Sequence, residues 1–208
     1  MSDIQMINGY TPVAEFAGNV INGIYTVRFD NLQKDAYIIA FFGVYNPGEK
    51  PYEIDAEFGA CLKLVCDGDS TGDAVIEGYD YLGQPIRELI TLNGATGVTT
   101  KKAFKFIKSI TTNEEKSITV TRSVTLGLPY RTSAILTETR GGVKSTATVL
   151  TAPVDEQSES SGDPRGTVKL ANYELPTNVV LICIASPEIF TRGEEKVGGL
   201  FGVPHFSI

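Results

Sequence analysis

The sequence predicts an all-β protein, a β-sandwich or jelly-roll of antiparallel sheets joined by long loops and ending in an apolar tail. Three observations carry that expectation. Runs of Val, Ile, Thr, Tyr and Phe recur at strand length along the chain, and these residue types pack well on a pleated surface. Gly, Pro, Asn and Asp interrupt the runs and supply turns. One short phrase also occurs twice within such runs, as Leu82-Gly83-Gln84-Pro85-Ile86-Arg87 and as Leu126-Gly127-Leu128-Pro129-Tyr130-Arg131. In each copy Gly admits a positive φ, while Pro fixes its own φ and biases the residue before it toward extended geometry. Each copy therefore reads as a hairpin turn with an Arg at its mouth, Arg87 in the first and Arg131 in the second.

The 208 residues suffice for one large β domain spanning 1–208. Residues 1–20 mix polar turns with short apolar pieces and read as an N-terminal arm or an edge strand, because Pro12 cannot donate to a central ladder. Residues 23–29 are β-branched and aromatic. Residues 36–45 are apolar throughout, as expected of a strand buried on both faces, and Pro47, Gly48 and Pro51 end that run. Residues 60–66 form the next strand. The loop 67–73 offers Asp67, Asp69 and Asp73 to a calcium ion, but a helix-flanked calcium loop counted from Asp67 needs a Glu where Gly78 stands. A plain polar hairpin loop is the favoured reading.

Residues 86–92 form a strand closed by Asn93-Gly94, a strong turn dipeptide. Residues 101–110 fit two periods: Ala103, Phe106, Ile107 and Ile110 share a helical face, whereas Phe104, Phe106 and Ile110 share a strand face. The neighbouring Thr111 and Thr112 favour the strand, with the lysines on a solvated face. Ile118, Val120 and Val124 then alternate with Thr119, Thr121, Ser123 and Thr125, the pattern of a half-buried strand. Another strand runs from Tyr130 to about Thr139 and breaks at Arg140-Gly141-Gly142, and residues 143–150 resume extended character. Residues 153–166, dominated by Glu, Ser, Gly and Asp, read as an exposed loop. Residues 179–185 are the last core strand, and residues 198–208 form an apolar docking tail.

A formal charge of −7 argues against nucleic-acid binding, whose affinity comes mainly from clustered Lys and Arg. No apolar run approaches the length of a membrane span. The start Met1-Ser2-Asp3 lacks the basic and apolar regions of an export signal, so synthesis in a reducing cytoplasm is expected. Cys61, Cys66 and Cys183 are accordingly expected as free thiols, with Cys183 in the core. No catalytic constellation is legible. The single histidine, His205, stands four residues from the end of the sequence, and nucleophilic catalysis of the Ser-His or Cys-His kind needs a positioned base. The adjacent pairs Glu114 with Glu115 and Glu194 with Glu195 sit in polar segments where burial would not tune a proton affinity. No enzyme activity, metal or cofactor is expected.

The first phrase copy, followed by Thr91-Leu92-Asn93-Gly94, Lys102-Ala103-Phe104-Lys105, Ser109-Ile110-Thr111 and Leu126-Gly127-Leu128-Pro129, resembles a run common in small virion proteins of tailed bacteriophages. Asp163-Pro164-Arg165-Gly166-Thr167 and the ending Leu200-Phe201-Gly202-Val203-Pro204-His205-Phe206 look like later landmarks of the same group. From Asp73 onward the chain is thus similar to capsid cement or decoration proteins. That resemblance implies a β-rich structural module on the outer surface of the virion's capsid shell, contacting the major capsid protein and forming a homo-oligomer, with a trimer favoured. Interface residues expected on this reading are Arg87, Arg131 and Arg165, together with Leu200, Phe201, Val203, Phe206 and Ile208 of the tail, whose large apolar groups must pack somewhere. The rival is a receptor- or carbohydrate-binding module of a head or tail fibre, or another tail or neck protein. A binding module predicts a concave aromatic and acidic pocket, to which Tyr79, Tyr81 or Tyr130 would contribute. A hydrolase predicts two carboxylates facing each other across a cleft.

Overall fold

Period-two alternation of apolar and polar residues runs through much of the chain, and strands are what it forms. The computed structural model describes residues 23–32, 37–68, 71–145, 148–151, 162–163, 165–170, 177–185, 188–192 and 195–199. In order the strands are β1 (Gly23–Leu32), β2 (Tyr37–Phe42), β3 (Val44–Tyr45), β4 (Tyr52–Glu53), β5 (Ala60–Cys66), β6 (Thr71–Tyr79), β7 (Pro85–Asn93), β8 (Val98–Thr99), β9 (Phe106–Thr112), β10 (Ser117–Gly127), β11 (Thr132–Arg140), β12 (Val143–Ser145), β13 (Val149–Thr151), β14 (Thr167–Lys169), β15 (Thr177–Ala185), β16 (Glu188–Arg192) and β17 (Glu195–Gly199). One 3-10 turn, Gly94–Thr96, follows β7. The protein is all-β and sandwich-like, built from antiparallel sheets, with no α-helix among the described residues.

β1, β15, β11 and β12 form one sheet in that spatial order. A second runs β13, β14, β10, β5, β8, with β2 also paired to β10; a third runs β3, β9, β6, β7, with β4 on β9; β16 and β17 make a separate ribbon. β10 is the spine of the second sheet. β5 lies along one of its edges, while β2 takes the first half of the other edge and β14 the second half. The inner faces feed a single hydrophobic cluster: Val27, Phe29 and Leu181 from the first sheet, Leu62, Leu64 and Val120 from the second, and Ile76, Ile90 and Ile110 from the third.

The alternation is most regular in β7, where Ile86, Glu88, Ile90 and Leu92 are buried and Arg87, Leu89 and Thr91 are exposed. β15 likewise buries Val179, Leu181, Cys183 and Ala185. All three cysteines are free and Cys183 is in the core, as expected; Cys61 and Cys66 are buried as well.

Several expectations change. The apolar run 36–45 is not one strand buried on both faces. Gly43, at φ 70°, breaks it and lets the chain pass from β2 in the second sheet to β3 in the third. Ala40 and Phe42 of β2 are exposed, alternating with the buried Ile39 and half-buried Phe41, so this strand is covered on one face only. In residues 101–110 the strand reading holds from Phe106 onward, but not its predicted face. Glu77 pairs with Ser109 and Gly78 with Ile107, so Lys108 is bulged out; the phase therefore shifts, and Ile107 and Ile110 are both buried while Phe106 is half-buried. The loop 67–73 is not a hairpin loop, since β5 and β6 belong to different sheets.

Candidate functional site

The two copies of the repeated phrase are turns, but only the first closes a hairpin. β6 and β7 pair along their whole length, with Tyr79 opposite Pro85, whereas the second copy carries the chain from β10 in the second sheet to β11 in the first. Arg87 and Arg131 are therefore not equivalent positions. The two turns nevertheless meet: the Tyr81 hydroxyl beside the first donates to the carbonyl of Pro129 in the second.

Arg165 joins them from a third stretch of chain. Its side chain is 2% exposed, and its Nη1 lies 3.0 Å from Oδ2 of Asp80, itself 1% exposed. Oδ1 of Asp80 accepts the amides of Leu82 and Gln84 at 2.8 and 2.9 Å, which fixes the first turn. The carbonyl of Arg165 accepts the amide of Thr132 at 3.0 Å, which fixes the exit from the second. The guanidinium also stacks on the Tyr81 ring, 4.8 Å from its centroid. Burial pushes the Tyr81 phenol up to about 12, with the Arg165 charge acting against that rise.

Asp163 supplies the second carboxylate of this junction. Its Oδ2 accepts the amide of Ala103 at 3.1 Å, and its Oδ1 accepts the amide of Arg165 at 3.0 Å. Burial raises its proton affinity above the usual carboxylate range, while Arg165 pulls the other way. Glu88 stands at an inward position of β7, where its two carboxylate oxygens accept the amides of Lys101 and Lys102 at 2.8 and 3.0 Å. Burial raises its proton affinity too, against the opposing pull of those two amides. Residues 100–103 are thus tethered by Glu88 from one side and Asp163 from the other. The end of the stretch read as an exposed loop, 153–166, is interior: Asp163, Arg165 and Gly166 are all buried.

A cleft of about 350 Å³ opens beside this junction, lined by Glu77, Gly78, Tyr79, Pro85, Ile86, Arg87, Lys102 and Lys108. β6 and β7 place Glu77 opposite Arg87, and the bulge in β9 brings in Lys108. Arg87 Nε and Lys108 Nζ each lie 3.7 Å from the Glu77 carboxylate, with all three side chains between 42% and 59% exposed. Lys102 donates from Nζ to the carbonyl of Arg87 at 3.0 Å, and burial lowers its proton affinity while Glu88 opposes that shift.

Of the residues singled out from the sequence, Arg87 lines the cleft, Arg131 is half-buried in the link between β10 and β11, and Arg165 is internal. Leu200, Phe201, Val203, Phe206 and Ile208 lie outside the described residues, as do the arm 1–20 and residues 152–161. Asp80, Glu88 and Asp163 were missed. A Glu at an inward place in an alternating strand was the signal available for Glu88. Asp80 and Asp163 sit among turn residues and gave none.

Among the described residues no group of three or more His, Cys, Asp or Glu is arranged to hold a metal ion, and no helix is long and apolar enough to cross a membrane. No protein-family model, curated protein or solved structure matches the chain.

Proposed function

We propose that this chain is a non-enzymatic structural protein of a bacteriophage virion, docking on the outer capsid shell as a cement or decoration protein. The observation that carries the reading is a row on the outward face of the third sheet in which Val44, Val75 and Leu89 are interrupted only by Thr111. Cross-strand register aligns Val44 with Thr111, Thr111 with Val75 and Val75 with Leu89. Val44 is 59% and Leu89 45% exposed, and Phe42, just ahead of Gly43, is 64% exposed. Scattered apolar residues on a surface are ordinary, but an aligned row on one sheet is how a protein contact begins. Behind that face, the buried carboxylates of Asp80, Glu88 and Asp163 accept main-chain amides, a use that holds loops in place.

In this reading the partner is the major capsid protein, the chain is a homo-oligomer with a trimer favoured, and the tail 198–208 is a second docking segment. A receptor- or sugar-binding module is favoured less, because the cleft carries more cations than acids and Tyr79 is its one aromatic wall.

The test is reconstitution. Full-length protein mixed with shells that lack it is expected to bind and to raise their resistance to heat or chelators. A Val44→Asp, Leu89→Asp double variant, changed at solvent-facing positions, is expected to fold and fail to attach. Native protein that neither binds nor strengthens shells overturns the reading, and a double variant that attaches normally removes the observation beneath it.

A further inference from the structure

We infer that the outer edge of β7 pairs with β7 of a second copy of this chain, antiparallel about a two-fold axis at Leu89, so that two copies share one continuous third sheet. β7 ends that sheet, and among the described residues no strand lies beyond it. The register decides which main-chain groups face that side. The amide and the carbonyl of Asp73 in β6 both turn toward Asn113, which follows β9, and the carbonyl of Tyr79 meets the amide of Lys105, which precedes β9. Main-chain direction alternates along a strand, so Ala74, Ile76 and Gly78 are the β6 residues that turn toward β7, opposite Ile90, Glu88 and Ile86. Arg87, Leu89 and Thr91 therefore turn their amides and carbonyls away from β6. The Arg87 carbonyl on that side takes the Lys102 ammonium, and the Asn93 carbonyl takes the Gly97 amide. Between them, no described main-chain bond reaches Leu89 or Thr91 from the outer side.

Three features point to the same strand of a second copy as the occupant. Leu89 is the midpoint of Pro85–Asn93, so a two-fold axis there overlaps the strands along their whole length. Leu89 then exchanges both bonds with its counterpart, and the Thr91 amide meets the Arg87 carbonyl, which keeps a second lone pair beside its Lys102 bond. At the ends, Pro85 has no amide to offer and the Asn93 carbonyl is already taken by Gly97, so that pair loses little. Second, the charges do not oppose themselves, since Arg87 comes opposite Thr91 and Glu88 opposite Ile90. Third, the outward row from Val44 through Thr111 and Val75 to Leu89 continues through the second copy's Leu89 into its own row, and Leu89, 45% exposed alone, is covered by its counterpart. Edges meant to stay single are often blunted by a bulge or by lysines, but β7 pairs with β6 without a register shift and holds no lysine. Its inward charge, Glu88, is already held by the amides of Lys101 and Lys102, and β8, which follows, pairs with β5 in the second sheet.

Sedimentation of the full-length protein over a range of concentrations tests the pairing. A single strand pair covers less than the about 1,000 Å² of a stable interface, so the expected dimer is weak and its share grows with concentration. Leu89→Pro removes an amide that does not serve the β6 pairing; checked for an unchanged circular-dichroism spectrum, it should dimerise at least about tenfold more weakly. Leu89→Cys, oxidised, should form a disulfide-linked dimer, because the Cα atoms of such a pair stand about 5.5 Å apart. Val44→Cys, exposed in the same row but three strands from the axis, should not; the native cysteines are buried and do not compete. The inference is overturned by protein that stays monomeric at every concentration, by folded Leu89→Pro that dimerises as the native chain does, or by Leu89→Cys that links no faster than Val44→Cys. Should Leu89→Pro not fold, the two cysteine variants decide. The inference rests on the strand edge and not on the capsid reading, and a two-fold contact adds to a trimer rather than supplying one. Protein that dimerises without binding shells removes that reading alone, and monomeric protein that strengthens shells removes this one alone.

Discussion

Arg165 and Arg87 are the same residue type in opposite circumstances, and their contributions to stability should differ accordingly. Removing a buried partner leaves the opposing charges uncompensated, a loss of about 3–5 kcal/mol. Arg165→Ala would do this to Asp80 and Asp163 together, so it is expected to lower the urea midpoint severely or abolish folding. Arg87→Ala removes a half-exposed pair with Glu77 and should cost at most about 1 kcal/mol; equal losses in the two variants would contradict the assigned burial. Glu88 allows a test by pH. Its carboxyl binds a proton more tightly in the folded than in the unfolded chain, so in that window the folded state holds more protons and this group's contribution to stability falls as pH rises. The stability of the native protein relative to Glu88→Gln should therefore shrink as pH rises above the ordinary carboxylate value of about 4; a constant or growing difference would show that Glu88 is not held that way. Of the junction's acids only Glu88 left a signal in the sequence, its inward place in an alternating strand. Asp, Gly and Pro around 80–85 and 163–166 signal turns for local reasons, and whether a turn is buried depends on what folds over it.

At the scale of elements, the strand-forming runs were legible because they depend on neighbours in sequence, and most boundaries fell near a Gly or Pro. Which sheet each strand would join was not. The chain changes sheets repeatedly, among other places between β2 and β3, between β5 and β6, and between β10 and β11, and nothing in periodicity encodes a crossover. The bulge in β9 was hidden for a related reason: it is defined by the partner strand's register, and its effect was to exchange the predicted face of residues 104–110 for one that buries Ile107 and Ile110 together. Gly78 is the counterpart of that bulge on β6. Because a Cβ at 78 would meet main-chain atoms of Phe106 as well as the Phe104 ring, Gly78→Ala cannot be absorbed by turning one side chain aside. It should separate β6 from β9 locally and cost about 1–3 kcal/mol or more, visible as a lowered melting temperature. Gly83→Ala meets open space but holds φ 77°, so it should cost about 1–2 kcal/mol through backbone strain alone while leaving the β6–β9 amide protection unchanged. Loss of that protection in Gly83→Ala, or its retention in Gly78→Ala, would count against this account.

The whole molecule should behave as one cooperative unit although its strands are divided among several sheets, because the three large sheets contribute to one buried cluster rather than separate cores. The cysteines report on this directly. Cys61 and Cys66 lie in β5 of the second sheet and Cys183 in β15 of the first, all three within 2% exposure. Burial holds the Cys61 thiol well above its ordinary value and pushes that of Cys183 up to about 12, so neither forms the reactive thiolate in the native state. Cys183 also lies opposite Tyr25 of β1 and Ile135 of β11, which places it in an interior strand of its sheet with a neighbour on each side. If the first sheet could open alone, Cys183 would be labelled at denaturant concentrations that leave Cys61 and Cys66 protected. With a shared core, all three should resist a thiol reagent in the native protein, count as three after denaturation, and become reactive along a single curve that follows the loss of β circular dichroism. Separate exposure of Cys183 would mean that the first sheet is a unit of its own, and a count of one after denaturation would mean an intrachain disulfide and contradict the free thiols.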